Sequence, residues 1–485
     1  MGVGVAEKMS KAGIERRKRV LLLNPPGEQL YLRDQYCSSV SKACYYWPPI
    51  DLILLSGFLA QRYELRVIDA IIHGIAPEQC AEEIASWRPD AVIFLTGITS
   101  WPADLAFART LKERTGALLI GVGGVLLYEG TPILEANDHL DAILLDFTTG
   151  DVVDFIEGAG DGRETLPNLS YRRGDNVVAG KRQPKGKVFE VPLPRHELFD
   201  LSRYRLPHGR RRPLTSVMMS DGCPYTCSFC VASPLAYRYR PLENMMVEFE
   251  HVASIGVKEM FFKDFTFGVR KELAIEMCDE IVGRKLDLTW ICACRADSVN
   301  RKLLEAMKRA GCHTIQFGVE TADAELLKQY RKNIGQDQTH ETFRLCREVG
   351  IRTLGHFILG LPGETPETIL QTVKYAKALK CDYASFNVVI PQVGTDLRRM
   401  TIEKGYYRPE GETFDSGRSY PVVETERLSR DALWDYRRRA IRSFYLDPKY
   451  ILKRAAGVRT WTELQNLIQN GFALLRGDNP AILEG

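Results

Sequence analysis

The stretch Ser220-Asp-Gly-Cys-Pro-Tyr-Thr-Cys-Ser-Phe-Cys230 decides how the rest of the chain is interpreted. It follows the strand-like run Thr215–Met219, and Cys223, Cys227 and Cys230 have the spacing C-x3-C-x2-C. Three thiolates on one short loop can hold one soft metal centre. Structural zinc normally takes four ligands, and no second C-x2-C pair completes such a set. A four-iron cluster can take three thiolates and keep one iron open for a small molecule, with zinc or a plain electron-transfer cluster as the alternatives.

The cysteine loop opens a block, about residues 214–395, in which strand-like and helix-like runs alternate. The strand-like runs are Thr215–Met219, Glu259–Phe262, Thr289–Cys294, Thr314–Val319, Thr353–Leu359 and Ala384–Ile390. The helix-like runs are Met246–Ile255, Glu272–Gly283, Arg301–Ala310, Ala324–Arg331, Asp337–Val349 and Pro366–Leu379. Six such units predict an open or partial (β/α)6 barrel, whose reactive face is the carboxyl ends of its strands.

A second alternating block lies upstream, from about residue 18 to 157. Its strand-like runs are Val20–Asn24, Leu65–Asp69, Ala91–Thr96, Ala117–Gly121 and Ala142–Leu145, and its helix-like runs are Ile50–Arg62, Pro77–Ser86, Ala103–Arg114 and Thr131–Ala136. This order predicts a doubly wound parallel α/β sheet, Rossmann-like in class, with helices on both faces. No G-x-G-x-x-G follows the first strand, which disfavours a dinucleotide site.

Turns after several of these strands are candidate ligand loops, because such sheets bind ligands outside the carboxyl ends of their strands. The turn residues are Pro26, Thr96, Gly97, Gly123, Gly124, Thr149 and Gly150. Plain turn chemistry is the alternative explanation for each of them.

The composition excludes several classes of protein. The chain has 485 residues, 26% of them charged, and a formal net charge of +3. These values argue against a mainly disordered chain and against a dedicated nucleic-acid binder. No apolar run approaches the ~20 residues of a membrane span, and residues 1–20 lack the apolar stretch of a signal peptide. Twelve cysteines in such a chain indicate a reducing compartment, so we expect a cytoplasmic protein.

The predicted domain order is a tail over residues 1–17, a Rossmann-like domain over 18–160, a linker over 161–213, the partial barrel over 214–396 and a mainly helical cap over 397–485. The basic linker is expected to be solvated, with an anion contact as the alternative. We expect the cap to close the carboxyl ends of the barrel strands; a membrane-surface helix is the alternative. Its aromatic residues are candidates for a substrate pocket or for core packing: Tyr406, Tyr407, Trp434 and Tyr445.

The cysteine loop, C-x3-C-x-aromatic-C after a first strand, resembles that of the radical S-adenosylmethionine (radical SAM) enzymes. Five further segments resemble the cosubstrate-binding strand ends of that superfamily: Phe262–Phe267, Trp290–Asp297, Gly318–Thr321, Phe357–Thr365 and Pro391–Thr395. The upstream block resembles the cobalamin-binding domain of one subgroup, through Asn24–Gly27, Trp47–Ile50, Val67–Ala70 and Gly123–Gly124. That subgroup includes radical methyltransferases and the anaerobic magnesium-protoporphyrin ester cyclase.

The resemblance implies three cofactors, namely a [4Fe-4S] cluster on the three cysteines, S-adenosylmethionine (SAM) and cobalamin. It implies SAM contacts from Phe229, Asp264, Arg295, Gly318, Glu320 and Ile358, and cobalamin contacts from the seven turn residues above. The implied reaction forms a 5′-deoxyadenosyl radical that takes hydrogen from an unactivated carbon, to which methylcobalamin then delivers a methyl group. The expected partners are a small organic substrate and an electron donor such as flavodoxin or ferredoxin, with no nucleic acid, and the chain is expected to be a monomer.

Three features depart from the subgroup. Asp69 is not followed by the histidine of D-x-H-x-x-G, so we expect no histidine on cobalt and a surface position for His73. The turn Asp146–Gly150 replaces a G-E-G-E-like turn, and Phe265 replaces an acidic residue after Asp264.

Four other cysteines have open roles. Cys292 and Cys294 are expected to be buried core thiols, with a position inside the barrel as the alternative. Cys37 and Cys44 lie in a long loop that could form a lid.

Three alternative functions stay open. One is a cobalamin-dependent radical oxidase, cyclase or ring-rearranging enzyme that transfers no methyl group. The second is a radical enzyme that has lost cobalamin, and the third is a sensor without turnover. The mass of the product separates the first from a methyltransferase, and formation of 5′-deoxyadenosine excludes the sensor.

Overall fold

A computed structural model describes residues 16–34, 37–41, 45–158, 166–409, 420–458, 460–461, 463–465 and 467–469. Cys44 and the side chain of Cys37 lie outside these residues, as do positions 1–15 of the predicted tail. In the described part of the chain, no helix combines the length and the hydropathy that a membrane crossing needs.

The N-terminal part is built on a seven-stranded sheet and a separate hairpin. The strands are β1 Arg19–Asn24, β2 Tyr31–Asp34, β3 Cys37–Val40, β4 Glu64–Asp69, β5 Ala91–Leu95, β6 Leu118–Val122, β7 Ala142–Leu144, β8 Leu169–Arg173 and β9 Asn176–Val178. The helices are α1 Ile50–Leu59, α2 Ala70–His73, α3 Pro77–Trp87, α4 Trp101–Thr115, α5 Gly124–Ala136 and α6 Asp151–Ile156. The sheet order is β4-β1-β5-β6-β7-β8-β9, parallel as far as β7, and β2 pairs with β3 alone.

Both faces of this sheet are buried, which explains why its strands are apolar runs rather than alternating ones. Along β1, Leu22 packs into the same core as α1, whereas Leu21 and Leu23 pack into the core that contains the buried side of α3 and α4. The predicted doubly wound sheet is therefore confirmed.

Three features of this part differ from the sequence prediction. β8 and β9, from the predicted linker, extend the sheet antiparallel. The helix expected to start at Thr131 starts at Gly124, directly after the left-handed Gly123. The long loop after β1 contains the β2–β3 hairpin. The division of the chain into domains stays a prediction.

The C-terminal part is a six-stranded parallel sheet in the order β10-β13-β14-β15-β16-β17. The strands of this sheet are β10 Leu214–Val217, β13 Glu259–Phe262, β14 Thr289–Cys294, β15 Cys312–Glu320, β16 Arg352–Leu359 and β17 Tyr383–Val388. Two short strands, β11 Ser220–Asp221 and β12 Arg238–Tyr239, pair only with each other. The helices are α7 Leu242–Ser254, α8 Lys271–Gly283, α9 Arg301–Arg309, α10 Ala324–Gln329, α11 Gln336–Val349, α12 Pro366–Ala378, α13 Asp396–Glu403, α14 Arg430–Tyr445 and α15 Pro448–Ala456. The predicted partial barrel and the helical C-terminal region are confirmed.

The C-terminal helices do not lie where the sequence analysis placed them. Tyr445 of α14 donates a hydrogen bond to the carbonyl of Ala384 in β17 over 2.7 Å, so α14 runs along the open edge of the sheet. Beyond α15, Glu463 pairs with Arg210 and Arg352, which lie at the amino ends of the barrel strands. The expected cap over the carboxyl ends is thus wrong for α14 and the segment after it, because the uncovered edge of β17 needs a partner to bury it.

Candidate functional site

The three-cysteine loop leaves the carboxyl end of β10 and is closed at its base by the antiparallel pair β11 and β12. Gly222 starts the loop with φ +73°, and a Cβ there would lie 2.3 Å from the carbonyl oxygen of Ala236. Only glycine fits this position. Cys227 is buried, whereas Cys223 and Cys230 are partly exposed.

Burial disfavours the thiolate form of two of the three cysteines in the absence of a metal. Burial raises the pKa of the Cys230 thiol to about 12 and also raises that of Cys223, whereas a metal-bound thiol loses its proton outright. Among the described residues, no three or more His, Cys, Asp or Glu side chains are arranged to hold a single metal ion. A four-iron cluster binds each thiolate through a different iron, so its ligands need not surround one point.

Asp264, a predicted SAM contact, holds the start of the loop. Its carboxylate accepts hydrogen bonds from the backbone N–H groups of Met219 (3.1 Å) and Ser220 (2.5 Å), and from the Ser220 hydroxyl. Burial raises the pKa of Asp264 to about 6, although these hydrogen bonds oppose the shift. The carboxylate therefore orients the strand end from which the cysteines follow, and its contact with SAM stays a prediction.

Arg295 lies against the loop. Its Nη1 donates to the Cys227 sulfur over 3.4 Å, and its guanidinium lies over the Tyr225 ring at 3.7 Å. Asp297 accepts two hydrogen bonds of 3.0 Å from the same side chain. Arg295 therefore holds a positive charge beside the sulfur of Cys227.

Glu320 forms a buried ion pair with Lys332, with 2.9 Å between Oε1 and Nζ. Burial lowers the pKa of Lys332, but the nearby Glu320 and Cys227 raise it more, so the net shift is upward. Gly318 leaves room for this pair, since a Cβ there would lie 2.4 Å from Glu320 Oε1. The sequence analysis missed Lys332, because nothing in its local sequence marks it as a partner of a residue 12 positions earlier.

Phe229 and Ile358, two of the predicted SAM contacts, pack against one apolar cluster. The Phe229 ring lies 6.4 Å from that of Tyr330, whose hydroxyl donates to the Pro362 carbonyl. The structure thus brings both residues to the carboxyl side of the barrel.

One cavity of about 230 Å³ joins this side of the barrel to the carboxyl edge of the N-terminal sheet. From the barrel it is lined by Phe229, Cys230, Val231, Gln392 and Val393, and from the N-terminal part by Asp34, Ser38, Ile98, Gly124, Val125, Leu127 and Tyr128. Of the seven predicted turn residues, only Gly124 lines this cavity.

The turns after β1, β5 and β6 are held together by the β2–β3 hairpin. Arg33 of the hairpin forms a fully buried ion pair of 2.7 Å with Asp104 and donates to the carbonyl of Pro25. Asp104 also accepts from Thr96 Oγ1 at 2.9 Å. A Cβ on Gly97 would lie 2.2 Å from Ser38 Oγ, and one on Gly123 would lie 1.9 Å from the carbonyl oxygen of Thr96. Gly97 and Gly123 are therefore required by close packing within this edge. Pro26 is buried at the same edge.

The turn that contains Thr149 and Gly150 has a different partner from the other turns. Asp146, at the start of this turn, is fully buried and pairs with Arg238 of β12 at 2.8 Å. Arg238 also pairs with Asp221 of β11, and Arg182 contacts both aspartates. This buried quartet ties the N-terminal sheet to the base of the cysteine loop. Thr149 itself donates to Asp151.

The remaining sequence-predicted residues are placed as follows. His73 is exposed at the end of α2. Cys292 and Cys294 are buried in the same core as Cys346 of α11, with 3.7 Å between their sulfurs. They face the helices rather than the inside of the barrel.

A lysine that the sequence analysis did not single out links the long N-terminal loop to the barrel. Lys263, directly after β13, pairs with Asp34 over 2.8 Å and lies 4.2 Å from the centre of the Trp47 ring. Trp47 Nε1 donates to the same carboxylate over 3.0 Å. The loop expected to form a lid therefore contacts the barrel interior through Asp34 and Trp47.

The class of the protein follows from this barrel and its cysteine loop. Residues 217–376 match the radical SAM superfamily. The predicted resemblance is confirmed, and the chain is a radical SAM enzyme.

Similarity to individual proteins extends over nearly the whole chain. The chain is 28% identical over 449 residues to an uncharacterized methyltransferase from Pyrococcus horikoshii, covering 90% of this chain and 94% of that protein. It is 25% identical to an anaerobic magnesium-protoporphyrin IX monomethyl ester cyclase from Rubrivivax gelatinosus, covering 87% of this chain and 78% of the cyclase. In fold it is similar to the radical SAM methyltransferase TsrM of Kitasatospora setae, solved with cobalamin and a [4Fe-4S] cluster bound. That similarity has a TM-score of 0.63 and 21% identity, and covers 87% of this chain and 81% of TsrM.

Proposed function

We propose that this chain is a cobalamin-dependent radical SAM methyltransferase that acts on a carbon atom of a small organic molecule. The observation that carries the proposal is the cavity shared by the two sheets. A radical source and a methyl donor must reach the same carbon, and one cavity between their sites meets that requirement. The methyltransferase relative and the fold of TsrM support the same function.

The walls of the cavity fit the proposed cofactors. Cys230 and Phe229 line the barrel side, where the three thiols and the Arg295 guanidinium would hold a cluster. The opposite side is lined by apolar residues and a glycine, Ile98, Gly124, Val125 and Leu127, and by the polar residues Asp34, Ser38 and Tyr128, and a largely apolar wall with a few polar groups suits an organic cofactor. His73 is exposed on α2, which supports cobalamin binding without a histidine on cobalt.

When bound, the cluster, SAM and cobalamin supply a 5′-deoxyadenosyl radical and a methyl group. The protein's own residues bind these groups and orient them. Arg295 donates a hydrogen bond to the sulfur of Cys227, and Asp264 fixes the backbone at the start of the loop. The buried Glu320–Lys332 pair holds two charges of opposite sign beside the loop, where the charged methionine end of SAM would lie.

A second candidate function is the oxidative or cyclising reaction without methyl transfer, which the similarity to the Rubrivivax gelatinosus cyclase favours. The test is the product formed by full-length, anaerobically reconstituted enzyme. A mass gain of one CH2 unit supports methyl transfer, whereas a product without it supports the second candidate. Formation of 5′-deoxyadenosine without any added cobalamin would favour the hypothesis of a radical enzyme that has lost cobalamin.

The proposal also includes an electron donor, a cellular location and an oligomeric state. A one-electron donor of the flavodoxin or ferredoxin class would reduce the cluster, and the enzyme would work as a cytoplasmic monomer. Light scattering of the reconstituted enzyme tests the monomer, and SAM cleavage with each donor tests the electron source.

A further inference from the structure

We infer that an acidic one-electron donor protein docks on a basic surface beside the cysteine loop. We call this surface the linker patch: Lys185, Lys187, Arg270 and Lys271. The inference rests on the proposed function, because a cluster that cleaves SAM must first receive an electron. It adds the place where the donor binds and the charge that the donor presents.

The basic linker is fixed against the barrel at the base of the cysteine loop. Arg182 anchors it as a member of the buried quartet. A few residues further on, the N–H of Tyr239 in β12 donates to the carbonyl of Lys187 over 3.0 Å, and the N–H of Phe189 donates to the carbonyl of Tyr239 over 3.1 Å. Lys185 and Lys187 are exposed on this fixed segment, so their charges are held beside the loop.

The barrel adds two cations at the same place. The Arg270 guanidinium lies 3.9 Å from the centre of the Tyr239 ring, and Lys271 is the first residue of α8. Val188, which bridges to Tyr239, is an apolar side chain with 42% exposure. The patch therefore has an apolar and aromatic centre with charged groups around it, which is the usual composition of a protein–protein interface.

The charge of the linker patch is not neutralised. None of its four cations forms an ion pair with the residues for which the structure gives coordinates. The nearest acidic residues along the two segments, Glu190 and Glu272, are exposed and do not pair with the patch. A partner with carboxylates on its surface can therefore pair with these cations without breaking an existing ion pair.

Other cations around the cysteine loop differ from the patch in this respect. Each of three has a carboxylate partner within the chain: Arg295 with Asp297, Lys332 with Glu320, and Arg331 with Asp396. The whole chain has a formal net charge of only +3, so its attraction for an acidic protein is local rather than general. These facts favour the linker patch over the other sides of the loop.

The patch lies close to a predicted cluster ligand. Tyr239 pairs with Ser220 of β11, which is three residues before Cys223. The N–H of Cys223 donates to the carbonyl of Leu235 over 3.4 Å, and the Cys223 thiol is partly exposed. A donor on the patch would thus bring its redox group beside the loop. There the donor loses one electron and the cluster gains it, with no bond formed or broken.

The test uses full-length enzyme reconstituted anaerobically with its cluster and cobalamin, and a flavodoxin of negative net charge as the probe. Isothermal titration calorimetry measures binding at low and at high salt. Wild-type enzyme should bind flavodoxin, and more weakly at high salt. The double variant Lys185→Glu/Lys187→Glu should bind it roughly tenfold more weakly or worse.

A second measurement compares two sources of electrons for SAM cleavage. With reduced flavodoxin, the double variant should form less 5′-deoxyadenosine than wild type. With dithionite, a small reductant that needs no docking surface, both enzymes should form it equally.

Two further variants make the test independent of one substitution. Arg270→Gln removes one charge of the patch from the barrel side and should weaken flavodoxin binding less than the double variant. Lys374→Glu/Lys449→Glu is the matched control, because both lysines are exposed on other helices and neither has an ion pair in the described part of the chain. The control should bind flavodoxin normally. Iron content shows that each variant carries its cluster.

The outcomes separate this inference from the proposed function. Unchanged flavodoxin binding in the patch variants, or equal weakening in the control, would overturn the inference. So would an equal loss of SAM cleavage with flavodoxin and with dithionite, since docking would then not explain the effect. If wild-type enzyme cleaved SAM with flavodoxin but gave no methylated product, methyl transfer would be overturned and the docking surface would stand.

Discussion

The carboxyl edges of the two sheets differ in the groups that form them. In the barrel the edge consists of reactive and charged side chains, such as Cys227, Arg295 and the Glu320–Lys332 pair. In the N-terminal sheet the edge combines close packing at Gly97 and Gly123 with the buried Arg33–Asp104 ion pair. We expect the barrel edge to bind its ligands through these side chains, and the N-terminal edge to bind its ligand mainly through a close fit. We therefore expect substitutions at the barrel edge to abolish the binding of a cofactor. Substitutions at the N-terminal edge are expected only to weaken cofactor binding.

The largest effect is expected from Cys227→Ala. Loss of one of three thiolates should abolish the visible absorbance of the cluster and the cleavage of SAM, measured as 5′-deoxyadenosine. Cys80→Ala, at a buried cysteine of α3, is the matched control and should retain both signals. SAM cleavage by the Cys227 variant would show that the loop has been assigned wrongly.

The next effect concerns the contact between the two sheets. Arg238→Met leaves Asp146 and Asp221 with less compensation in a buried site, which should destabilise the fold by about 3–5 kcal/mol. The midpoint of urea unfolding measures this change. Arg284→Met removes a surface arginine with three glutamate partners and should shift the midpoint little. Equal shifts in the two variants would mean that the quartet does not join the sheets.

A smaller and more selective effect is expected from Gly123→Ala. The residue has φ +149°, and its new Cβ would collide with the Thr96 carbonyl, at a cost of about 1–3 kcal/mol. Cobalamin binding, followed by absorbance, should weaken while iron content stays normal. Gly335→Ala, where no atom lies within 4 Å of the added Cβ, serves as the control. Normal cobalamin binding by the Gly123 variant would contradict a shape-based site at this edge.

The smallest effect is expected from His73→Ala. The side chain is exposed at the end of α2, so the electron paramagnetic resonance spectrum of the cob(II)alamin state should be the same with and without this histidine. A nitrogen splitting that disappears in the variant would place His73 on cobalt.

Most strands of both sheets could be predicted from the sequence, because each is a short apolar run bounded by turn residues. β14 is observed at its predicted bounds, and β13 likewise. β8 and β9 were not predicted, since their partner is the distant strand β7 and their sequence, LSYRR and NVV, carries little apolar signal. The early start of α5 also escaped prediction, because its first turn follows a glycine that reads as part of a loop.

The candidate site, like the fold, could be predicted from the sequence only in part. Cys223, Cys227 and Cys230 are recognisable because their spacing is local. Arg33 and Asp104 are 71 residues apart, and Arg238 and Asp146 are 92 apart, so no window of sequence contains both partners.

The sequence by itself determined the class of this protein, because one loop of eight residues from Cys223 to Cys230 contains the cluster ligands and the strands around it are apolar runs of ordinary length. Only the tertiary structure decided which groups face each other across the cavity and inside the barrel. The contacts among Lys263, Asp34 and Trp47 join the barrel to the long loop after β1, and those among Gln316, His356 and His208 join two strands and the segment before β10. Such contacts depend on the packing of distant segments, and packing is a property of the folded chain rather than of any stretch of it.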